Sequence, residues 1–482
     1  MIIVGLDIGT QSLKAVAANR DLRALGSASV TYPYEARACG QAEQDPELWL
    51  RALRPAIAGC LEAAGARPED VVGIGFVGQL DGCIAVDQAC QALGPALIWM
   101  DRRAQDEIKD ICPKLVRSRT GSVLDPSHMA AKIRWLKRRL DPAKVARFHQ
   151  PVSFVVERLT GRAIFDHGLA STTMLYDLDA GCFSAPLLAG FGICEAELPE
   201  IGEASACAGR LTAAGSDLTG LPAGIPVAVG TGDDFAGPLG AGIVTPGTVV
   251  CSLGTAEVIG AIHPHPLIDP SNLVETHGYV SGFFFIENPG WLSGGAVSWA
   301  MRLLGIADAE GFDRAAAAVS AGSEGVLFIP ALGGAMAPVW KPDARGTFYG
   351  LTAHHHQGHL ARAVLEGCAF AMRDVVTRLR ELGVSADRVL QVGGGARSRL
   401  WAEIRAGVLG HGVECAESVD AAPMAAVLLA ATAAGLEPSL AEAAARLPLP
   451  TTRVDPILTD IPAYEQAYRR YLALFEALTP LF

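Results

Sequence analysis

Two adjacent acidic residues close the segment Gly230-Thr231-Gly232-Asp233-Asp234, which follows a predicted buried strand at 225–229. In α/β folds the carboxyl ends of strands face the ligand-binding crevice, so carboxylates here are candidates for proton transfer. The alternative is that an aspartate caps a helix beginning at Phe235 by accepting its backbone N–H groups. Capping uses only one carboxylate, and the other is then free to act as a base. The spacing alone leaves both interpretations open.

A second candidate is the segment Asp7-Ile8-Gly9-Thr10-Gln11-Ser12-Leu13-Lys14, which joins two short apolar runs. A glycine at such a junction lets backbone N–H groups approach a phosphate. Thr10 and Ser12 add hydroxyl donors, and Lys14 adds a positive charge. Asp7 is suited to hold Mg²⁺ through water. The alternative is an ordinary hairpin whose side chains only satisfy the turn.

The same layout returns near the middle of the chain, at Val249-Val250-Cys251-Ser252-Leu253-Gly254-Thr255. Both copies consist of an apolar strand, a polar residue, a Gly-Thr pair and a further strand. An internal repeat separated by half the chain predicts two similar domains that face each other. The Gly- and Pro-containing stretch 242–247 marks the restart, which places the domains at residues 1–244 and 245–482. Two Gly-Thr loops on opposite sides of a cleft are both expected to contact phosphates.

A third glycine-rich segment is Gly393-Gly394-Gly395-Ala396-Arg397-Ser398, between a predicted strand at 388–392 and a predicted helix. A glycine loop that leads from a strand into a helix N-terminus lets a base or a phosphate lie against bare backbone. A tight structural turn explains the same pattern.

Two further motifs suggest chemistry that their context contradicts. The segment Gly73-Ile74-Gly75-Phe76-Val77-Gly78 has the spacing of the dinucleotide-binding fingerprint, but its glycines lie inside an apolar run and no helix is expected after them. No Gly-Lys dipeptide occurs, which excludes a P-loop. His354-His355-His356 and His359 suggest a metal site, yet no carboxylate is spaced to complete it. We expect ordinary exposed histidines there.

Strand and helix patterns alternate along the chain, which favours an α/β fold with helices covering the sheets. Besides the strands already mentioned, a buried strand is predicted at 71–77. An amphipathic helix is expected after Asp45-Pro46, because aspartate caps helices and proline is tolerated in their first turn. Further helices are predicted at 129–140, 144–159, 290–304, 357–382, 398–409 and 422–435.

Composition narrows the class of protein. The 482 residues are 50% hydrophobic, and 39 basic against 51 acidic residues give a net charge of −12, so no nucleic-acid or membrane-surface partner is expected. The 11 cysteines are irregularly spaced without a Cys-x-x-Cys motif, which predicts single thiols and neither a disulfide framework nor a zinc site. The N-terminus has no signal-peptide pattern, and the uncharged stretch after Asp234 contains prolines unsuited to a spanning helix. A cytoplasmic protein is expected.

These motifs together resemble the FGGY carbohydrate kinases, and among them the xylulokinase branch. The resemblance runs from Ile3 to about Gly435. It is carried by Asp7–Lys14, Gln79 with Asp81-Gly82, Trp99-Met100-Asp101-Arg102-Arg103, Lys132-Ile133-Arg134-Trp135, Gly232-Asp233-Asp234, Ser252-Leu253-Gly254-Thr255, Phe328-Ile329-Pro330, Ala344-Arg345-Gly346, 360–367 and Gly393–Trp401.

The resemblance implies an α/β protein of two actin-like (ribonuclease H-like) domains, with ATP and a sugar in the cleft between them. It implies that Asp233 is the general base for the accepting hydroxyl. Contacts to the nucleotide and its phosphates are expected from Asp7, Gly9, Thr10, Ser12, Lys14, Gly254, Thr255, Gly394, Gly395 and Ser398. Contacts to the sugar are expected from Gln79, Asp81, Trp99, Asp101 and Asp234. Mg²⁺ would be held by Asp7 and Asp233 through water.

The sequence departs from the family pattern at several places. Met100 stands where xylulokinases usually carry Asn, Gly333–Pro338 (which includes Ala335) lacks the Glu-Arg pair often found there, and Gly407 stands where Asp is common. The most informative departure is the pair Leu80-Asp81 on the sugar side. Xylulokinases usually carry Met-His where this chain has Leu80-Asp81, and glycerol kinases carry Arg-Glu there. Three hypotheses therefore remain: a kinase of a five-carbon ketose such as D-xylulose, a kinase of a polyol such as erythritol, glycerol or a pentitol, and a non-catalytic actin-fold protein that binds ATP. Assembly into a homodimer is left open.

Overall fold

Two seven-stranded sheets form the centre of the computed structural model, which describes residues 1–37, 40–417 and 421–482. The strands of the first half are β1 (Ile2–Ile8), β2 (Ser12–Ala18), β3 (Ala24–Thr31), β4 (Glu35–Arg37), β5 (Gln41–Gln44), β6 (Val71–Gly78), β7 (Ile84–Val86), β8 (Ala96–Leu97), β9 (Arg147–His149), β10 (Ile164–Asp166), β11 (Tyr176–Asp177), β12 (Cys182–Phe183), β13 (Glu200–Gly202), β14 (Cys207–Arg210), β15 (Pro226–Ala228) and β16 (Thr231–Gly232). Its helices are α1 (Pro46–Ala63), α2 (Pro113–Thr120), α3 (Met129–Lys137), α4 (Pro151–Thr160), α5 (His167–Ser171), α6 (Ala185–Phe191), α7 (Ala213–Thr219) and α8 (Asp233–Gly240).

The second half contains its own large sheet and the longest helix. Its strands are β17 (Thr248–Leu253), β18 (Ala256–His263), β19 (Glu275–Gly278), β20 (Phe284–Leu292), β21 (Leu327–Ile329), β22 (Thr347–Tyr349), β23 (Arg388–Val392), β24 (Val413–Ala416) and β25 (Thr451–Val454). Its helices are α9 (Gly294–Leu304), α10 (Ala309–Ala317), α11 (Gln357–Glu381), α12 (Arg399–Leu409), α13 (Ala421–Ala433), α14 (Leu440–Arg446) and α15 (Ile461–Leu478).

The two large sheets share one strand plan. In the first, the order is β14-β15-β6-β1-β2-β3, and β16 also pairs with β6. In the second, the order is β25-β24-β23-β17-β18-β20-β19. In both, the opening strand pairs antiparallel with the next strand and parallel with a strand that follows a long connection. The internal repeat read from the sequence is confirmed, while the division at residues 244 and 245 stays a prediction.

Most predicted elements form, and three begin elsewhere than expected. The helix predicted at 290–304 begins at Gly294, because strand β20 extends to Leu292. The helix predicted at 144–159 begins only at Pro151, because Arg147–His149 pairs with β7 as strand β9. Helix α8 begins at Asp233 instead of Phe235, with Gly232 as its N-cap. Both aspartates therefore lie in the first helical turn, where negative charge is favoured by the helix dipole, and neither is the cap.

Helix α13 belongs to the second half of the sequence, but it packs on the first sheet. An ideal Cβ on Gly5 of β1 would lie 2.2 Å from the carbonyl oxygen of Pro423, and one on Gly75 of β6 would lie 2.0 Å from that of Ala426. The glycines of the Gly73–Gly78 motif therefore admit a helix at close range instead of a dinucleotide. Apolar residues of α8, α13 and both large sheets form one shared core cluster.

No disulfide bond forms among the described cysteines. Ten cysteines lie within the described residues and all of them are free thiols. Among the described helices, none combines the length and apolar character needed to cross a membrane.

Replacing Gly75 by alanine is expected to destabilise the protein, because the new methyl group would overlap the backbone of α13. Overpacking of this kind costs about 1–3 kcal/mol. The free energy of unfolding from urea titration measures the effect. Gly94→Ala is the matched control, since a Cβ at Gly94 has no heavy atom within 4 Å. Equal stability of the two variants would contradict the close approach of α13 to the sheet.

Candidate active site

Three strands of the first sheet end at one edge and bring the predicted residues together. Strands β1 and β16 both run parallel to β6, and Ile8 and Gly232 both pair with Gly78. Asp7 therefore lies at the same sheet edge as Asp233, which follows directly after β16. The loop that leaves β6 carries Gln79 and Asp81 from this edge. Residues far apart in the sequence meet here because parallel strands end together.

The two aspartates of α8 are partly exposed, and the pKa of each is raised above its ordinary value. Burial raises the pKa of Asp233 to about 6, and the charge of Asp81 adds to the shift. Burial also raises the pKa of Asp234 well above its ordinary value, and the charges of Asp233 and Asp81 raise it further. Both shifts are those expected of neighbouring carboxyl groups, which do not ionise together.

The turn between β1 and β2 is fixed by its own hydrogen bonds. The Gly9 N–H donates to the Ser12 carbonyl at 3.0 Å, so this amide is used inside the turn, as the hairpin interpretation expects. The Tyr32 hydroxyl donates to the Gly9 carbonyl at 2.7 Å. Lys14 of β2 lies opposite Asp7 of β1 in the register of the two strands, and its side chain is exposed. The Thr10 hydroxyl accepts from the Trp99 indole N–H at 3.0 Å and retains its own proton for a ligand.

The second Gly-Thr turn lies against the start of helix α9. Gly254 and Thr255 are exposed between β17 and β18, and the Thr255 carbonyl accepts from the Gly295 N–H at 2.9 Å. A Cβ on Gly294 would lie 2.3 Å from the Gly254 carbonyl oxygen. The Gly-Gly pair at the start of α9 thus lets the positive end of a helix dipole reach this turn, which favours phosphate nearby. The sequence patterns did not single out Gly294 and Gly295 as site residues, although both lie within the helix predicted at 290–304.

The third glycine loop has the predicted order of strand, loop and helix. Gly393 has a left-handed φ of 90°, and a Cβ on Gly394 would meet no heavy atom within 4 Å. Gly394 therefore presents open backbone. The Ser398 hydroxyl caps α12 by accepting from the Trp401 N–H at 3.0 Å, and it donates to Asp313 at 2.7 Å. A role of Ser398 in nucleotide binding stays a prediction.

Two of the predicted sugar-side residues, Asp101 and Gln79, form hydrogen bonds with neighbouring protein groups. Both carboxylate oxygens of the buried Asp101 accept hydrogen bonds, from Arg103 and from the Ala42 backbone N–H. Gln79 is buried and donates to the Gln44 side chain at 3.0 Å. The Gln79 side-chain oxygen has no hydrogen-bond partner among the described residues and is available to a ligand. Direct contact of Asp101 with a sugar stays a prediction.

Asp81 is held at several points. Its φ of 57° is left-handed, a conformation that is strained for a non-glycine residue and is typical of functional sites. Its N–H donates to the Gln150 side chain at 2.9 Å, and its carbonyl accepts from Lys132 at 2.7 Å. His128 Nδ1 lies 3.1 Å from its carboxylate. The sequence analysis noted Lys132 only as part of a motif and missed His128 and Gln150, because their contacts are not local.

Strands β19 and β20 contribute further ionisable residues, and Glu287 of β20 interacts electrostatically with the aspartates of α8. The sequence patterns did not predict them as site residues. Burial raises the pKa of Glu275 and raises that of Glu287 well above its ordinary value, and Asp234, Glu275 and Asp233 add to the shift of Glu287. Burial lowers the pKa of His277 to about 4. The charge of Asp234 therefore acts on a carboxyl group of the second sheet.

The histidine cluster has a carboxylate partner that the sequence did not show. Glu324 lies 3.4 Å from His354 Nε2 and 3.5 Å from His359 Nε2, which corrects the expectation that no carboxylate is suitably placed. His355 and His359 accept backbone N–H groups at Nδ1, so their neutral rings carry the proton on Nε2. In this tautomer neither Nε2 can bind a metal ion, and neither has a hydrogen-bond partner among the described residues.

The family of the chain follows from its match to two family models. The FGGY family of carbohydrate kinases, N-terminal domain, matches residues 2–240, and the C-terminal domain of the same family matches residues 249–434. The chain belongs to this family. It is therefore a carbohydrate kinase with ATP as phosphoryl donor, which sets aside the hypothesis of a non-catalytic protein.

Proteins similar to this chain include xylulose kinases and glycerol kinases. The xylulose kinase of Escherichia coli (strain K12) is 29% identical, and the match covers 99% of each chain. The glycerol kinase of Alkalilimnicola ehrlichii (strain ATCC BAA-1101 / DSM 17681 / MLHE-1) is 32% identical, with 90% of each chain covered. A solved structure of a xyloylose kinase from Brucella ovis has a TM-score of 0.93 at 30% identity and covers 100% of both chains. The predicted two-domain actin-like fold is confirmed.

Gly394→Val is expected to weaken nucleotide binding by this FGGY kinase without unfolding it. The new side chain would enter open space, so the thermal midpoint should stay unchanged, whereas a nucleotide lying on the bare backbone would be displaced. We expect the Kd for ADP, measured by calorimetry, to rise about tenfold or more, equivalent to about 1.4 kcal/mol. Gly94→Val is the control at an equally open glycine far along the chain. An unchanged Kd would remove Gly394 from the nucleotide site.

Proposed function

We propose that this kinase transfers the γ-phosphoryl group of ATP to a hydroxyl of a five-carbon ketose, D-xylulose, with Asp233 as general base. The observation that carries the role of Asp233 is its position, one residue beyond β16, at the sheet edge shared with Asp7 and Asp81. The xylulose kinases among its relatives, matched over nearly the full length of both chains, support the ketose.

Phosphoryl transfer requires a hydroxyl in line with the γ-phosphorus and a group that accepts its proton. Asp233 accepts the proton: its pKa, which burial raises to about 6, still lies below neutral pH, so the carboxylate is ionised. The hydroxyls of Thr10 and Ser12 and the open backbone near Gly254 and Gly394 orient the nucleotide.

Asp7 and Asp233 form a fitting pair for Mg²⁺. Both present carboxylate oxygens from the ends of strands that flank β6, and hard oxygen ligands are what this ion prefers. We propose that both carboxylates hold it through water. When bound, Mg²⁺ offsets the charge of the phosphates.

A polyol is the second candidate acceptor, and Asp81 favours it. One carboxylate oxygen of Asp81, Oδ1, has no hydrogen-bond partner among the described residues. A carboxylate only accepts hydrogen bonds, so it binds hydroxyl groups and not a carbonyl oxygen. A substrate with a hydroxyl in place of the keto group would satisfy this oxygen.

An acceptor panel tests the substrate. We expect ADP release in a coupled assay with D-xylulose and ATP, and little release with L-xylulose, D-ribulose, glycerol, erythritol, xylitol or ribitol. A site built to bind hydroxyls discriminates strongly against substrates that leave its polar groups unpaired. Turnover with one of the polyols and none with ketoses would transfer the assignment to a polyol kinase. ADP release that is independent of any acceptor would contradict both proposals.

Asp233→Asn is expected to lower kcat by about 10²–10⁴-fold, the usual contribution of a general base. The amide accepts no proton, but its oxygen still accepts a hydrogen bond from a water bound to Mg²⁺, so the Kd for ATP should change little. Steady-state kinetics and calorimetry measure the two quantities. The control is Asp217→Asn, at an exposed aspartate of the same half. Near-normal turnover of Asp233→Asn would make Asp234 the stronger candidate base.

A further inference from the structure

The contacts of Asp81 are those of a carboxylate held ready for a ligand. Its backbone N–H and carbonyl are both hydrogen-bonded, to Gln150 and Lys132, which fixes the strained left-handed turn. Lys132 also donates to the Ile98 carbonyl at 2.8 Å, so its buried ammonium group joins two loops. The side chain of Asp81 is only 11% exposed. Its Oδ2 is engaged by His128, and its Oδ1 has no protein partner within the described ranges.

His128 and Lys132 reach Asp81 from one face of the same helix. His128 is the N-cap residue of α3, and Lys132 lies four residues later, one helical turn away. The imidazole binds the carboxylate and the ammonium group binds the carbonyl of the same residue. One helix terminus therefore determines both the backbone and the side-chain orientation of Asp81.

We propose that His128 is a positioning residue of the sugar site: as an imidazolium ion it fixes the Asp81 carboxylate so that Oδ1 accepts a hydroxyl of the phosphoryl acceptor. This inference rests on the proposed function. It assigns to His128 a role in acceptor affinity and none in proton transfer, because His128 contacts Asp81 and not the base Asp233. Loss of the imidazolium charge frees the carboxylate to rotate, so acceptor binding weakens while nucleotide binding does not.

The charges around His128 favour its protonated form. Burial lowers the pKa of His128, but Asp81, Glu275 and Asp125 outweigh this effect and raise the pKa to about 9. His277 of β19 interacts electrostatically with His128 and is neutral, because burial holds its pKa near 4. Lys132 lies on the same helix face, and burial lowers its pKa to about 8. Two groups near Asp81 thus lose a proton in the alkaline range, and a variant is needed to tell them apart.

The experiment is the pH profile of kcat/KM for the acceptor, from pH 6 to 10.5 at saturating ATP, for the wild type and His128→Gln. We expect the wild-type value to fall above pH about 9, through a rise in the acceptor KM. Glutamine still donates a hydrogen bond to Asp81 but does not titrate. In His128→Gln the fall near pH 9 should disappear, the acceptor KM at pH 7.5 should be about tenfold higher, and the KM for ATP should be unchanged.

Two variants complete the design. Asp81→Asn removes the carboxylate itself, so it should raise the acceptor KM at least as much as His128→Gln. His354→Gln, at an exposed histidine of the second half, should leave the whole profile as in the wild type. A fall near pH 9 that persists in His128→Gln belongs to another group and overturns the proposal, whereas a separate fall near pH 8, present in both proteins, is that of Lys132. An equal rise in both KM values overturns it as well, since that result indicates a general structural effect.

The ring titration of His128, followed by NMR of histidine-labelled protein, gives a measurement independent of turnover. We expect the ring to titrate near pH 9 in the wild type and about one pH unit or more lower in Asp81→Asn. A wild-type titration near pH 6.5 overturns the proposal even if the enzyme is fully active. If no acceptor of the panel is phosphorylated, the proposed function fails, while the titration still decides whether His128 holds Asp81 as an ion pair.

Discussion

The concentration of carboxyl groups at one edge of the first sheet is the constraint on which the site depends. The charge of Asp81 raises the pKa of both Asp233 and Asp234, and the charge of Asp233 raises that of Asp234 further. Asp234 and Asp233 in turn raise the pKa of Glu287 in the second sheet. Carboxyl groups this close to one another do not all ionise together. His128 and Lys132 at the start of α3 place cationic groups beside Asp81.

The apolar core between the two large sheets holds this charged edge in place. Phe235 and Leu239 of α8 are fully buried in the same cluster as residues of α13, two and six positions after the proposed base. Because packed interiors resist small displacements, the position of the base is set by the fit of α8 and α13 between the sheets. Glycines at 5, 75 and 240 permit that fit, since a Cβ on any of them would overlap the backbone of α13.

The repeated strand plan gives each half a Gly-Thr turn between its first two strands. In the first half the turn contacts Trp99, whose indole N–H donates to the Thr10 hydroxyl. In the second half the corresponding turn contacts the start of α9, where the Gly295 N–H donates to the Thr255 carbonyl. The same strand plan thus gives two different surroundings for the turn, because the segments between corresponding strands differ.

Local patterns in the sequence determined the strands and helices, the repeat, and the residues placed directly at strand ends, such as Asp7 and Asp233. These follow from periodicity and turn chemistry, which act over a few residues. The tertiary structure alone decided that Asp81 adopts a left-handed turn, that His128 and Lys132 hold it, and that Glu275 and Glu287 approach from the second sheet. It also decided why Gly75 is a glycine, since helix α13 lies about 350 positions later in the chain. Contacts between distant segments depend on how the sheets pack, and no short stretch of sequence encodes that packing.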